Sequence, residues 1–377
     1  MRHKRSIALI VLIIICINGV GLVALMSAAP AIARAIYLKK QVMALFFGVG
    51  SCALFSVAPL SFFFRWRHWL LAGAFGALIL VLIPGVGHMV NGSRRWIHVG
   101  SLSLQISEFA KIPFIIWLAG YVAGHREECA TLVQGFLKPM GICGSLAFAV
   151  LCEPDYGTAF LLMIVALAVL FLFGARLRYA FFLLVGGGII FLGLIALNPN
   201  RWRRIVSFFA VEECRFDATY QLWQGILCFA SGGLWGSGIG LGRQKLSYLP
   251  EAHTDFIFPV IGEEWGGIFA VVIILAFLVF VLTALLALYP KEDVFIRALG
   301  IGAVLIIALQ AIINIAVVTG CFPTKGMALP FISYGGSNLV AMYALLGLII
   351  NGLRSEGMEG GCRREDHKKI MPIDWLG

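Results

Sequence analysis

The length of the charge-free runs constrains this chain more than any other feature. Residues 42–64 contain no Asp, Glu, Lys or Arg, and neither do residues 266–290. Such runs are apolar all round, whereas a surface helix of a soluble domain alternates apolar and polar faces. Each is long enough to cross a hydrocarbon core of about 30 Å as a helix. In lipid, backbone polar groups must be satisfied internally, which leaves helices or a closed barrel. The runs are too long and continuous for barrel strands. The fold class is therefore an all-α membrane protein, a polytopic bundle of about ten transmembrane helices. Spans are predicted near residues 6–27, 42–64, 69–86, 109–124, 139–152, 158–174, 178–197, 266–289, 297–318 and 336–353. The first run follows Arg2, Lys4 and Arg5 but is longer than a signal-peptide core, so it reads as a spanning anchor.

Composition agrees. Apolar residues make up 60% of the chain and charged residues 13%, about half the charged share of a soluble domain. The net charge of +10 does not mark a nucleic-acid protein, because no basic stripe interleaves with exposed aromatics. Lys and Arg instead occupy short links. With the termini inside, the inner links hold Arg65, Arg67, Arg126, Lys138, Arg176, Arg178, Lys291 and Arg297, and the outer links hold fewer. Positive residues favour the cytoplasm, so both termini are placed there. Residues 1–353 form the transmembrane domain, and residues 354–377 a basic tail expected to be disordered and drawn to lipid. The nine cysteines form no metal-spaced cluster. Cys214 and Cys321 fall in outer links, where a disulfide is conceivable but free thiols are favoured.

The long link, about 198–265, lies outside between spans seven and eight. It runs from Arg201, Arg203 and Arg204 through an apolar stretch to Gly232, Gly233, Gly236, Gly238, Gly240 and Gly242, and then to Lys245 and Tyr248. Glycine at that density marks tightly bent or closely approached backbone. Half apolar and half glycine, the link is predicted to be partly re-entrant, lining a cavity.

Four segments have chemical potential. Glu251, Asp255, Glu263 and Glu264 cluster before the eighth span, and carboxylates at a membrane boundary are costly unless paired or functional. For Glu263 and Glu264 the competing reading is a helix start complementing its dipole. For Asp255, the following Phe256, Ile257 and Phe258 predict an apolar wall that raises its pKa toward general-base work. His253 either orients Asp255 or binds substrate, with a structural hydrogen bond equally weighted. Arg94 and Arg95 beside Trp96, with Ser107, Glu108 and Lys111 nearby, suit a phosphate at headgroup level; interfacial anchoring is the equal alternative. Lys325 is the only charge of a Pro- and Gly-broken link that also carries Ser333 and Ser337. In the turn 153–158, Asp155 is expected to cap a helix.

These segments, in this order, resemble the SEDS family (shape, elongation, division and sporulation). The stretches concerned are residues 91–97 (NGSRRWI), 153–158 (EPDYGT), 231–258 (SGGLWGSGIGLGRQKLSYLPEAHTDFIF) and 323–337 (PTKGMALPFISYGGS). Within the family, residues 248–255 and 323–326 look more like the division type than the elongation type. The resemblance implies a peptidoglycan glycosyltransferase that polymerises lipid II at the outer face of a bacterial cytoplasmic (inner) membrane, at the division septum. It puts the essential carboxylate at Asp255 and matches Arg95 and Lys325 to basic positions that hold the substrate. Arg94, Lys245, Glu251, His253, Ser333 and Ser337 complete the expected binding set. The partners it implies are a class B penicillin-binding protein acting as transpeptidase, other division proteins and membrane lipids, with no nucleic acid. No metal ligands are assigned; a divalent cation, Mg or Mn, is the candidate cofactor, although no cation motif is legible. Glu153 departs from the family, standing where Gln is usual, as do Ile106 and Pro259. The competing functions are a lipid II flippase and a non-enzymatic scaffold that recruits a transpeptidase.

Overall fold

The computed structural model describes residues 2–30, 32–90, 93–99, 102–176, 219–244, 249–323 and 325–355, with isolated positions between 178 and 216. The arginines at 201, 203 and 204, most of the expected span 178–197, Cys214, Lys245, Tyr248 and the tail beyond Ser355 lie outside the described residues. The α-helices are α1 (Arg2–Ala28), α2 (Arg34–Val57), α3 (Leu60–Leu82), α4 (Ile106–Gly124), α5 (Lys138–Cys152), α6 (Tyr156–Leu172), α7 (Tyr220–Gly232), α8 (Ile257–Leu288), α9 (Val294–Val318) and α10 (Gly336–Arg354). Among the described residues, seven helical segments are long and apolar enough to cross a membrane: those containing α1, α2, α4, α5, α8, α9 and α10. The apolar helices α3 and α6 stand beside them. The chain is an integral membrane protein with a helix count near ten.

α4 and α10 are buried along most of their length and form the centre. Without a hydrophobic driving force between helices, packing in lipid relies on small residues that let backbones approach. Gly347 of α10 does this against α2, where an added Cβ would stand 2.6 Å from the carbonyl oxygen of Cys52.

The run 42–64, read from the sequence as one span, is instead broken at Ala58 and Pro59. Proline has no N–H to donate and clashes with the preceding turn. The carbonyls of Phe55 and Ala58 at the break both accept from Asn351 Nδ2, at 2.8 and 2.7 Å. A buried amide of α10 thus satisfies the groups that the break exposes. The third predicted span, 69–86, accordingly begins earlier, at Leu60, and the helix ends at Leu82.

The link after α3 is not a simple loop. It forms a three-stranded antiparallel sheet, β1 (His88–Val90), β2 (Ser93–Val99) and β3 (Leu102–Gln105), in which Trp96 pairs with Gln105. The long link also contains a helix, α7, packed on the start of α8. α8 begins at Ile257, earlier than the predicted 266, and is interrupted at Gly266, whose φ of 86° leaves the helical region. Glu263 and Glu264 therefore stand at the end of a short first segment and not at a helix start. Both are buried, and their carboxylates accept hydrogen bonds from the glycine-rich segment: Glu263 Oε1 from Arg243 N at 2.7 Å, and Glu264 Oε2 from Gly240 N at 3.1 Å. Charge satisfied by backbone N–H groups replaces the expected dipole role.

Candidate active site

The sheet, the α5–α6 turn, the segment before α8 and the segment before α10 converge at one end of the bundle. They enclose a cavity of about 340 Å³ whose lining includes Arg95, Gln105, Glu108, Asp155, Glu251 and Asp255. Each wall has a local reason to be where it is. β3 is fixed to α10 through Ser337, whose Oγ accepts from Gln105 N at 2.9 Å and donates to Ser103 O at 3.1 Å. Gln310 and Asn314 of α9 are isolated polar residues in an apolar helix. Gln310 Nε2 donates to Ala328 O at 2.9 Å, and Asn314 Nδ2 donates to the carbonyls of Asp255, at 2.9 Å, and Met327. The two segments that flank the cavity thus hang from one helix. Gly326 leaves room for the carboxylate there, because an added Cβ would lie 2.5 Å from Asp255 Oδ2 and displace it.

A buried polar network forms one side. Lys111, with no exposed surface, donates to Glu108 Oε2 at 2.8 Å and to Gln310 Oε1 at 2.7 Å. Asn338 Nδ2 donates to the same Glu108 oxygen at 2.7 Å. Next to it, Asp155 caps α6, accepting from Thr158 N at 3.1 Å. Its Oδ2 also accepts from Thr158 Oγ1 at 2.9 Å and Ser107 Oγ at 3.0 Å, and lies 4.0 Å from Arg95. The cap expected from sequence is present, but the same carboxylate also faces the cavity, which the turn motif alone did not reveal. Burial works to raise the Asp155 pKa, yet Arg95, the Thr158 hydrogen bonds and Lys325 together hold it below the usual value.

Asp255 contrasts with it. The residue is half-buried, and among the described residues no side chain hydrogen-bonds its carboxylate. Burial first, then the charges of Glu251, Asp155 and Glu108, push its pKa up to about 7, with Arg95 opposing. Neighbouring carboxylates of opposite tendency mark a fixed anion and a group able to exchange a proton. Glu153, fully buried, has no partner on either carboxylate oxygen among the described residues. Burial, reinforced by Asp155 and countered by Arg95, raises it to about 8, so it is mostly uncharged at neutral pH.

The other sequence-predicted site residues are distributed unevenly. Arg95 lines the cavity, whereas Arg94 pairs across the sheet with Met89 and does not. Lys325 lies over Gly157, its charge acting on Asp155. Glu251 is exposed on the cavity rim and accepts from Thr254 Oγ1 at 2.9 Å. His253 is outside the lining: its ring packs on Tyr37, with centroids 4.6 Å apart, and its carbonyl accepts from Tyr334 N. Ser333 Oγ accepts from Leu329 N at 2.8 Å, holding a turn rather than facing the cavity. Lys245 lies outside the described residues. Cys321 is a free thiol. No group of three or more His, Cys, Asp or Glu side chains among the described residues is placed to hold a metal ion.

A family model described as a cell cycle protein, and named for FtsW, RodA and SpoVE, matches residues 6–356. The chain belongs to that family. Stage V sporulation protein E of Bacillus subtilis is 36% identical over 352 residues, covering 91% of this chain and 95% of its own length. The probable peptidoglycan glycosyltransferase FtsW of Coxiella burnetii is 40% identical over 319 residues, covering 83% and 85%. Among solved structures, a chain from work on the structural coordination of polymerization and crosslinking by a peptidoglycan synthase complex superposes with a TM-score of 0.76 at 25% identity, over 92% of this chain and 96% of its own. RodA of Thermus thermophilus superposes at 0.69 with 26% identity, over 92% and 95%. The family's fold and the cavity described above thus coincide in one chain.

Proposed function

We propose that this protein is a peptidoglycan glycosyltransferase that polymerises lipid II into glycan strands at the outer face of a bacterial cytoplasmic membrane, in septal wall synthesis. The observation that carries the reading is Asp255: a carboxylate with no side-chain hydrogen-bond donor among the described residues, its pKa pushed up to about 7, opening onto a cavity that also holds Arg95. The names of the family relatives support it.

The chemistry follows from those side chains. The 4-hydroxyl of the acceptor sugar gives its proton to Asp255 as its oxygen forms a bond to the anomeric carbon of the donor. The bond from that carbon to the polyprenyl diphosphate breaks, and the diphosphate leaves with the electron pair. Diphosphate is a good leaving group, so one carboxylate suffices where glycosidases need two. Attack opposite the diphosphate inverts the anomeric centre. A base of this kind contributes about two to four orders of magnitude in rate. Arg95 and Lys325 stabilise charge on the diphosphate. Asp155 keeps Arg95 oriented. A class B penicillin-binding protein is the expected partner, and both termini face the cytoplasm.

Purified protein, its transpeptidase partner and lipid II test the reading. Wild type should make glycan polymer and Asp255→Asn should not. Equal polymer from both would remove Asp255 from catalysis, and a chain that moves lipid II between leaflets without polymerising it would establish the flippase.

A further inference from the structure

The segment between α7 and the cavity carries a surface that this chemistry does not use. Leu234, Trp235, Ile239 and Leu241 are 67%, 83%, 61% and 68% exposed. Four large apolar side chains on one short irregular segment are costly in water. Beneath them the backbone is tied down at several points. Gly236 N donates to Gly232 O, Ser237 N to Glu263 O, and Gly238 N to Glu264 O, at 2.8, 2.9 and 3.0 Å. Gly240 N reaches the Glu264 carboxylate, and Arg243 N and Gln244 N reach that of Glu263. In return, Gly267 N and Ile268 N, freed where Gly266 interrupts α8, donate to the carbonyls of Gly233 and Leu234. Irregular backbone is tolerated in the hydrocarbon only when protein satisfies its polar groups, so a segment bonded in part suits the boundary of the membrane, where headgroups and water remain within reach.

Its height and surroundings identify the occupant. Ser27 ends the membrane-crossing part of α1, and its Oγ donates to Glu264 Oε1 at 2.6 Å. The segment is therefore held where α1 leaves the hydrocarbon. Ile268, Val271, Val272 and Leu275 of α8 are also exposed and continue the apolar surface along the helix. An exposed tryptophan, Trp235, and an exposed Arg243 on one segment give the composition of a membrane–water boundary.

We infer that residues 234–241 are an interfacial anchor, with Leu234, Trp235, Ile239 and Leu241 immersed in the boundary between headgroups and acyl chains of the cavity-side leaflet. The anchor holds the α8 interruption, and with it Asp255 at the head of the same helix, at a set height over a lipid-carried substrate; this last clause rests on the glycosyltransferase reading. The lipid surface is the committed partner.

The test uses the full chain in lipid nanodiscs. The chain has nine tryptophans, so the Trp235 contribution is taken as the emission difference between wild type and Trp235→Phe, a change at an exposed position that leaves the fold intact. Bromine on the upper acyl chains should quench that difference at least about twofold, and aqueous iodide should leave it nearly unchanged. Quenching by iodide and not by bromolipid would overturn the anchor. So would bromolipid quenching that disappears when the transpeptidase is added, since the surface would then be a protein interface. Trp235→Ser with Ile239→Ser should raise KM for lipid-linked substrate in bilayers while preserving kcat. The quenching is read without turnover, so an inactive wild type would count against the glycosyltransferase reading and not against the anchor.

Discussion

The cavity and the clasp around Gly266 both bury carboxylates, and they treat them in opposite ways. In the clasp, Glu263 and Glu264 accept from Arg243 N, Gln244 N, Gly240 N and Ser27 Oγ. In the cavity, Asp255 accepts from no described side chain, although Glu108 and Asp155 in the same walls are saturated. A carboxylate surrounded by donors is stabilised as an anion and fastens structure. One left without donors at the edge of water has a pKa close to the pH at which a base must work. The difference separates scaffold from chemistry without reference to any relative.

The comparison breaks first at Asp255. Asp255→Asn keeps the shape and removes the base, so polymerisation of lipid II should fall by about two to four orders of magnitude. The thermal midpoint should hardly move, because no described hydrogen bond to the side chain is lost. A large drop in that midpoint with residual activity would make Asp255 a structural residue like those of the clasp.

At Glu264 the expectation reverses. Glu264→Ala removes the acceptor of the bonds from Ser27 Oγ and Gly240 N. Hydrogen bonds to a charged group are worth about 1.5–3 kcal/mol each, so a loss of roughly 3–6 kcal/mol should appear in denaturant unfolding of the detergent-solubilised protein. Turnover per folded molecule should fall far less than in Asp255→Asn. The converse ranking would undo the division between the two regions.

How much of this was legible in the chain follows the same line. Charge-free runs revealed the bundle, and Asp255 before Phe256, Ile257 and Phe258 revealed a carboxylate against an apolar wall. The break at Pro59 was passed over because the run 42–64 stays apolar across it, and only Asn351, far away in sequence, makes the break affordable. The sheet was missed because β1 and β3 are too short to show alternation. Gln310, Asn314 and Asn338 read as stray polar residues in apolar helices, yet they hang two cavity segments and complete the Lys111 network. Lone amides inside otherwise apolar spans were the available signal, since lipid penalises them unless they are paired. Apart from Ser27 Oγ, the donors given above for Glu263 and Glu264 are backbone groups, which no side-chain pattern announces.

Protonation sharpens the contrast further. With its pKa raised to about 7, Asp255 is increasingly protonated as the pH falls below neutrality. A base must be ionised, so single-turnover rates should drop about tenfold per pH unit well below 7 and level off above it. Asp155, held below the usual carboxylate value, should add no inflection in that range. A flat profile between pH 5 and 8, roughly the span over which the base is expected to titrate, would mean that Asp255 is not the titrating group, or that chemistry is not the slow step; a solvent isotope effect on the same rates distinguishes these.

Glu153 is the smallest effect and the most discriminating case. Like Asp255 it has no hydrogen-bond donor on its carboxylate among the described residues, but it has no surface to water. An ionised carboxylate there would carry the full desolvation penalty, which is why burial, ahead of the Asp155 charge, raises its pKa to about 8 despite Arg95. Between the unfolded and folded pKa values the native state binds the extra proton, so this residue lowers stability progressively as pH rises toward 8. Glu153→Gln supplies a neutral group of the same shape. Near pH 6.5, a value chosen to lie about one unit or more below the raised pKa, its turnover should lie within about twofold of wild type. Above pH 8 the variant should be the more heat-resistant of the two. A tenfold loss at the lower pH would show that Glu153 is ionised and paired in the working enzyme, and the rule drawn from Asp255 and the clasp would then fail for a carboxylate sealed from solvent.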